Sequence, residues 1–174
     1  MEITTMSKRL CRLTRWLRIC ALALSITACG FQPRGQTTDI GALPGPLAIS
    51  GIRVNSPLYR ELRKQVIAAG QTLVDSVGES GAILRIQQYQ SSSRVLSVDS
   101  RNRAVEYELE ESAHLSLQTP AGETLLAEQP LRVVRLLYRP SETILSSDRE
   151  SELLRADMRR DLATRMLRRM SAAN

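Results

Sequence analysis

The chain has 174 residues, with 24 basic and 18 acidic side chains and a formal net charge of +6. This length fits one ordinary domain. Five of the basic residues lie between positions 8 and 18. From residue 29 onward the chain has 19 basic and 17 acidic residues. The high overall charge therefore belongs to the N-terminal segment and is no argument for nucleic-acid binding.

The N-terminal segment combines a basic start, a short apolar run and a cysteine. The apolar run, residues 19–26, is eight residues long. It is too short to span a bilayer, which takes about 20 apolar residues, but typical of a signal-peptide core. The tripeptide Ile-Thr-Ala at 26–28, followed by Cys29, resembles a lipobox, the sequence cleaved by lipoprotein signal peptidase. We therefore expect residues 1–28 to be removed and Cys29 to carry lipid.

The residues around Cys29 also predict a destination. Gly30 follows, not the aspartate that favours inner-membrane retention in enterobacterial lipoproteins, so we expect an outer-membrane lipoprotein facing the periplasm. A general secretory signal with an incidental cysteine is the alternative, and Met6 is a second candidate start. Cys11 and Cys20 lie in the segment expected to be removed, which leaves no thiol for a disulfide, a metal or a nucleophile.

The rest of the chain divides into a tether and one domain. Residues 29–46 are rich in glycine and proline, as is typical of a tether, and residues 47–174 are predicted to form a single domain. Residues 47–54 favour a first strand. Residues 82–90 favour a second one, with continuation through the serines at 91–93 to residue 98 as the alternative. Because a helical pattern separates these strands, they are expected to be parallel.

Two helices are predicted from capping residues and apolar spacing. Ser56 and Pro57 are typical of an N-cap and the first helical position, and Gly70 of a helix C-terminus. Residues 147–150, Ser-Asp-Arg-Glu, form a capping box that predicts the start of a C-terminal helix. The apolar residues of this helix recur at every fourth position: Leu154, Met158, Leu162, Met166 and Met170. Such a stripe indicates a helix packed on a core, not a cofactor site.

The clearest pattern is the alternation of apolar and polar residues over 105–117. It predicts a half-buried antiparallel strand whose odd-numbered face lies in the core. Glu111 is the one charged residue on that face. After a turn at 120–122, residues 124–138 favour a return strand. Pro130 cannot donate to a sheet ladder, so it predicts an edge position or a bulge there.

Together these elements predict an α+β fold of order β-α-β-β-β-α. It is a two-layer sandwich in which a four-stranded mixed sheet carries both helices on one face. In this topology the turn at 99–103 and the loop at 139–147 lie at the same end of the sheet. That end gathers four arginines: Arg101, Arg103, Arg139 and Arg149. Clustered guanidinium groups can bind phosphate, and ordinary solvated loop charge is the alternative.

No enzymatic chemistry is indicated. The only histidine, His114, lies on the polar face of the long strand. There is no Gly-rich phosphate loop, no nucleophile motif and no carboxylate set at metal-ligand spacing. The row Glu106, Glu108 and Glu110 is more simply a solvated face or one half of cross-strand ion pairs. We therefore expect neither a catalytic site nor a cofactor or metal.

With these features in place, the chain resembles the LptE family, the lipopolysaccharide-assembly lipoproteins of the outer membrane. The resemblance runs from Cys29-Gly30-Phe31-Gln32-Pro33-Arg34 through residues 45–70 and the triplet Val105-Glu106-Tyr107 to the Arg-rich last helix. Family members plug the lumen of the β-barrel protein LptD, help it assemble and bind lipopolysaccharide. The partners implied here are LptD, lipopolysaccharide and the outer membrane, with insertion of lipopolysaccharide into the outer leaflet as the function.

The resemblance also implies site residues. Arg101 lies at or beside the basic turn position of the family, with Arg103 close by. The second basic position of the family, just before the last helix, corresponds here to Ser147, with Arg149 nearby. A different class remains the alternative: an outer-membrane lipoprotein that regulates a periplasmic cell-wall enzyme or binds peptidoglycan.

Overall fold

The structure, a computed structural model, describes residues 43–139 and 144–172. The predicted signal, 1–28, and the tether up to residue 42 lie outside the described residues. The elements of the described part are, in chain order, β1 (Leu47–Ser50), α1 (Pro57–Ala68), β2 (Leu73–Val74), a 3-10 turn (Val77–Glu79), β3 (Ala82–Val98), β4 (Ala104–Gln118), β5 (Thr124–Tyr138) and α2 (Ile144–Ser171). Neither described helix is long and apolar enough to cross a membrane.

The five strands form one mixed sheet in the order β2-β1-β3-β4-β5. β1 is parallel to β2 and β3, whereas β3, β4 and β5 are antiparallel neighbours. The predicted α+β fold with a mixed sheet and two helices is confirmed, and the predicted count of four strands is wrong. The fifth strand, β2, is two residues long, too short to show any periodicity in the sequence.

The first strand ends four residues before its predicted limit because of a close backbone approach. Gly51 has φ +89°, and a Cβ there would lie 2.0 Å from the carbonyl oxygen of Ile86 on β3. Only glycine fits this position, and the chain turns away after it. Beyond Arg85, the partner of Ser50, β3 continues alongside β4 alone. At about 3.3 Å per residue, β3 spans roughly 55 Å, so the sheet extends well past β1.

Both ends of α1 are capped as predicted. The Ser56 hydroxyl accepts a hydrogen bond from the Tyr59 amide at 3.2 Å, and Pro57 is the first helical residue. At the other end Gly70 has φ +80°, and its amide donates to the Ile67 carbonyl at 3.0 Å.

The start of α2 differs from the prediction. The helix begins at Ile144, so Ser147 already has helical backbone and cannot be the N-cap, which requires an extended conformation. No glycine or proline separates Ile144 from Ser147, and the helix extends through this segment. The loop between β5 and α2 is correspondingly shorter than predicted.

The hydrophobic core lies between the helices and the odd-numbered face of β4, as the alternation predicted. Leu109, Leu115 and Leu117 are buried on that face, against side chains from both helices. The helices also contact each other: the Gln65 amide on α1 donates to the Arg160 carbonyl on α2 at 3.1 Å. The opposite face of β4 carries the glutamate row.

Candidate functional site: the sheet tip

Three segments meet at one end of the sheet, which we name the sheet tip: the turn Asp99–Arg103, the end of β5 with Arg139, and the start of α2. Tyr138 is paired with Glu106, near the start of β4, and the Arg139 amide donates to the Val105 carbonyl at 2.7 Å. The chain enters the domain at the opposite end, because Leu47 pairs with Ala82, the first residue of β3. The four arginines predicted to share one end of the sheet therefore do so.

Asp99 organises the turn. Its Oδ1 accepts the backbone amides of Arg101 and Arg103, both at 2.9 Å, and its Oδ2 accepts from the Arg103 Nε at 2.9 Å. These bonds, led by the Arg103 amide, hold the pKa of Asp99 below its ordinary value. Arg103 is thus ion-paired inside the turn, whereas the exposed Arg101 guanidinium contacts no partner within the described ranges.

Arg139 joins the end of β5 to its surroundings. Its guanidinium carbon lies 5.7 Å from the centroid of the Tyr107 ring, a cation–π distance. Its Nη2 pairs with the Asp148 carboxylate on α2. Arg149, one residue further, is exposed, and its side chain makes no hydrogen bond or ion pair with the described part of the chain. The tip therefore carries two engaged guanidinium groups, those of Arg103 and Arg139, and two, those of Arg101 and Arg149, without a hydrogen-bond or ion-pair partner among the described residues.

The glutamate row on the outer face of β4 is largely paired. Arg94 on β3 lies 3.1 Å from Glu108, and Arg132 on β5 lies 2.7 Å from Glu110. Of the two alternatives given for this row, a solvated face or cross-strand ion pairs, the structure has the ion pairs. Such exposed pairs contribute at most about 1 kcal/mol each to stability. His114, also on this face, lies with its Nδ1 2.7 Å from the Glu128 carboxylate.

Glu111, the charged residue on the apolar face, is completely buried. It accepts hydrogen bonds from the Tyr89 hydroxyl at 2.7 Å and the Ser91 hydroxyl at 2.8 Å. Arg155 and Arg159 of α2 each place a guanidinium nitrogen 3.8 Å from its Oε1. No role in the core was predicted for the arginines of this helix, so these two were missed. The signal for them was Glu111 itself, since a buried carboxylate needs cationic partners.

Exposed apolar side chains are concentrated near the tip. Of nine exposed large apolar residues in the described part, five lie at the end of β5 or on the adjoining end of β3: Val95, Leu96, Val98, Leu136 and Tyr138. A cleft of about 80 Å³ lies among Leu96, Leu136 and Tyr138. This exposed apolar surface was not predicted either. The available signal was the consecutive run Leu136-Leu137-Tyr138, which must expose apolar residues because neighbouring strand residues face opposite ways.

A second and larger cavity, about 790 Å³, opens where β1 ends. It is lined by the β1–α1 connection, residues 51–57, and by Gln88 and Tyr89 of β3. No cluster of three or more potential metal ligands occurs within residues 43–139 and 144–172.

This fold is found in bacterial lipoproteins of known structure. The solution NMR structure of uncharacterized lipoprotein B from Nitrosomonas europaea matches with a TM-score of 0.65 and 27% identity, over 82% of this chain and 91% of that one. The crystal structure of rare lipoprotein B from Shewanella oneidensis matches with a TM-score of 0.62, over 74% of this chain and 95% of that one. At 24% identity, the second likeness concerns the fold alone.

The sequence model of the LptE family, described as lipopolysaccharide-assembly, matches residues 43–170. The chain therefore belongs to the LptE family, as the resemblance predicted. The LPS-assembly lipoprotein LptE of Photorhabdus laumondii is 28% identical over 152 residues, which cover 86% of this chain and 81% of that protein.

Proposed function

We propose that this protein is an outer-membrane lipoprotein, anchored by lipid on Cys29, that binds lipopolysaccharide and occupies and helps assemble the LptD β-barrel. Through that barrel, lipopolysaccharide would be inserted into the outer leaflet. The observation that carries the proposal is family membership across residues 43–170, which includes all five strands, α1 and all but the last residue of α2.

Lipopolysaccharide would bind with its phosphate groups at the sheet tip. Arg101 is the leading contact, because its guanidinium is exposed and has no acidic partner in the described part of the chain. Arg149 is also exposed and has no hydrogen-bond or ion-pair partner among the described residues. Arg103 would have to exchange Asp99 for phosphate. Arg139 is held by Tyr107 and Asp148, so its main contribution would be to position the end of β5. Each charge-assisted contact with phosphate is worth about 1.5–3 kcal/mol.

The partner and the anchor can be tested together by co-expressing the full chain with LptD. We expect a stable complex that survives detergent purification, with LptD identified by mass spectrometry and palmitate label on the smaller chain. Cys29→Ala should abolish the label and leave the signal uncleaved. Cys20→Ala, which alters a cysteine inside the predicted signal, is the matched control and should keep the label. If the purified lipoprotein carries no LptD, the proposed partner is wrong. If Cys29→Ala still carries palmitate label, the proposed anchor is wrong.

A further inference from the structure

The sheet tip presents an apolar surface on a face where polar residues are expected. Leu136 and Tyr138 are opposite Glu108 and Glu106 in the β4–β5 register, so both lie on the outer face. They are 71% and 62% exposed, and Leu96, which lines the same cleft, is 44% exposed. We name these three residues the apolar pad. The solvated face of an antiparallel sheet is normally polar, and clustered exposed apolar side chains mark contact sites for apolar partners.

The apolar pad lies directly beside the basic turn. Ser97 and Tyr138 are both paired with Glu106, and the turn begins at Asp99, two residues beyond Ser97. The distance along the strand is roughly 7 Å. The surface therefore changes from cationic at its extreme end to apolar one step toward the domain body.

This order of charge and apolar surface identifies the kind of occupant. A hairpin that entered a bilayer end-first would drive Arg101 and Arg103 into the hydrocarbon, where a charged side chain is costly. A single anionic lipid lying along the sheet meets no such cost. Its phosphates would contact the turn, and its acyl chains would extend over the pad toward the domain body.

We propose that the apolar pad binds the acyl chains of the same phosphorylated lipid whose phosphates bind the basic turn. This inference rests on the proposed function and adds a second contact to it. The cleft within the pad, about 80 Å³, accepts a short segment of one chain, and the rest of the lipid covers Leu136 and Tyr138. Glu106 lines the same cleft, with its carboxylate hydrogen-bonded to the Ser97 hydroxyl at 2.7 Å.

The test compares two ligands that share one headgroup. The first is a fully acylated, diphosphorylated lipid A, and the second is the same diphosphorylated sugar with its acyl chains removed. Both are titrated against the full lipidated chain in a non-ionic detergent. The pad variant is Leu136→Ser with Tyr138→Ser. The control is Val54→Ser with Ile67→Ser, two residues outside the tip that are 61% and 52% exposed.

We expect the pad variant to bind the acylated ligand at least about tenfold more weakly than wild type, because less apolar surface is buried on binding. Its affinity for the deacylated ligand should be unchanged, and the control variant should bind both ligands as wild type does.

Three results would overturn the inference. If the pad variant binds the acylated ligand with wild-type affinity, the pad is not part of the lipid-binding site. If the affinity of the pad variant falls equally for both ligands, the pad only supports the conformation of the turn. If the pad variant no longer co-purifies with LptD but still binds the acylated ligand as wild type does, the pad belongs to a protein interface. The proposed function fails separately, and the inference with it, if the wild-type chain binds neither ligand.

Discussion

The Tyr89 hydroxyl on β3 donates a 2.7 Å hydrogen bond to the Glu111 carboxylate on β4, at the edge of the hydrophobic core. The other carboxylate oxygen accepts from Ser91, and Arg155 and Arg159 of α2 approach it at 3.8 Å. A buried carboxylate without such partners would cost several kcal/mol. This cluster therefore fixes the register of α2 over the long strands and supports the sheet beyond the end of β1.

Removal of the Glu111 carboxylate should strongly destabilise the domain. In Glu111→Ala the Tyr89 hydroxyl loses its acceptor, and the Arg159 side chain, 12% exposed, keeps only the exposed Glu152 at 2.8 Å. We expect a loss of about 3 kcal/mol in the free energy of unfolding. Glu108→Ala, which breaks the exposed pair with Arg94, should cost at most about 1 kcal/mol. Urea unfolding followed by circular dichroism measures both. Equal losses in the two variants would contradict the assigned role of Glu111.

The same cluster predicts how stability depends on alkaline pH. Burial, followed by the hydrogen bond to Glu111, raises the pKa of Tyr89 above its ordinary value of 10.0. The folded state therefore retains the phenolic proton after the unfolded chain has released it. This stabilisation is complete below the unfolded pKa and is lost as pH rises toward the folded one.

The matched variant is Tyr89→Phe, which has no phenol to ionise. Between about pH 9 and about pH 11, the melting temperature of wild type should fall more steeply than that of Tyr89→Phe. Parallel curves for the two proteins would show that the Tyr89 pKa is not shifted by folding.

Asp99 should limit the affinity of the turn for phosphate. In Asp99→Asn the amide oxygen can still accept the backbone amides of Arg101 and Arg103, but the negative charge that holds the Arg103 side chain is removed. We expect lipopolysaccharide affinity to rise by about threefold or more, because Arg103 becomes free for phosphate. Asp157→Asn, a change on the exposed surface of α2, is the charge-matched control. A decrease in affinity for Asp99→Asn, or an equal rise in both variants, would exclude this role.

Local and periodic features were predictable from the sequence. The alternation in β4 has a period of two and fixed the buried face, and the caps of α1 follow from the hydrogen bonding of Ser56 and the free φ of Gly70. The family and the grouping of the four arginines were predicted as well. The buried face of β4 and the caps of α1 depend on residues close together in the chain, and the grouping of the arginines depends on strand order.

Contacts between distant residues were not predictable. Gly51 ends β1 because the Ile86 carbonyl lies in the way, and β2 exists only because β1 offers it a partner. The engagement of Arg103 by Asp99 and of Arg139 by Tyr107 follows from side-chain geometry that residue spacing does not encode. The outward orientation of Leu136 depends on the register between β4 and β5.

The most direct test of the account measures lipopolysaccharide binding by a charge-reversed turn. Arg101→Glu with Arg103→Glu should bind lipopolysaccharide at least about tenfold more weakly than wild type, since it loses one or two charge-assisted contacts. The control Arg63→Glu with Lys64→Glu reverses two exposed charges on α1 and should bind as wild type does. Both variants should still form the complex with LptD. Wild-type affinity in the turn variant, with the complex intact, would contradict phosphate binding at the sheet tip.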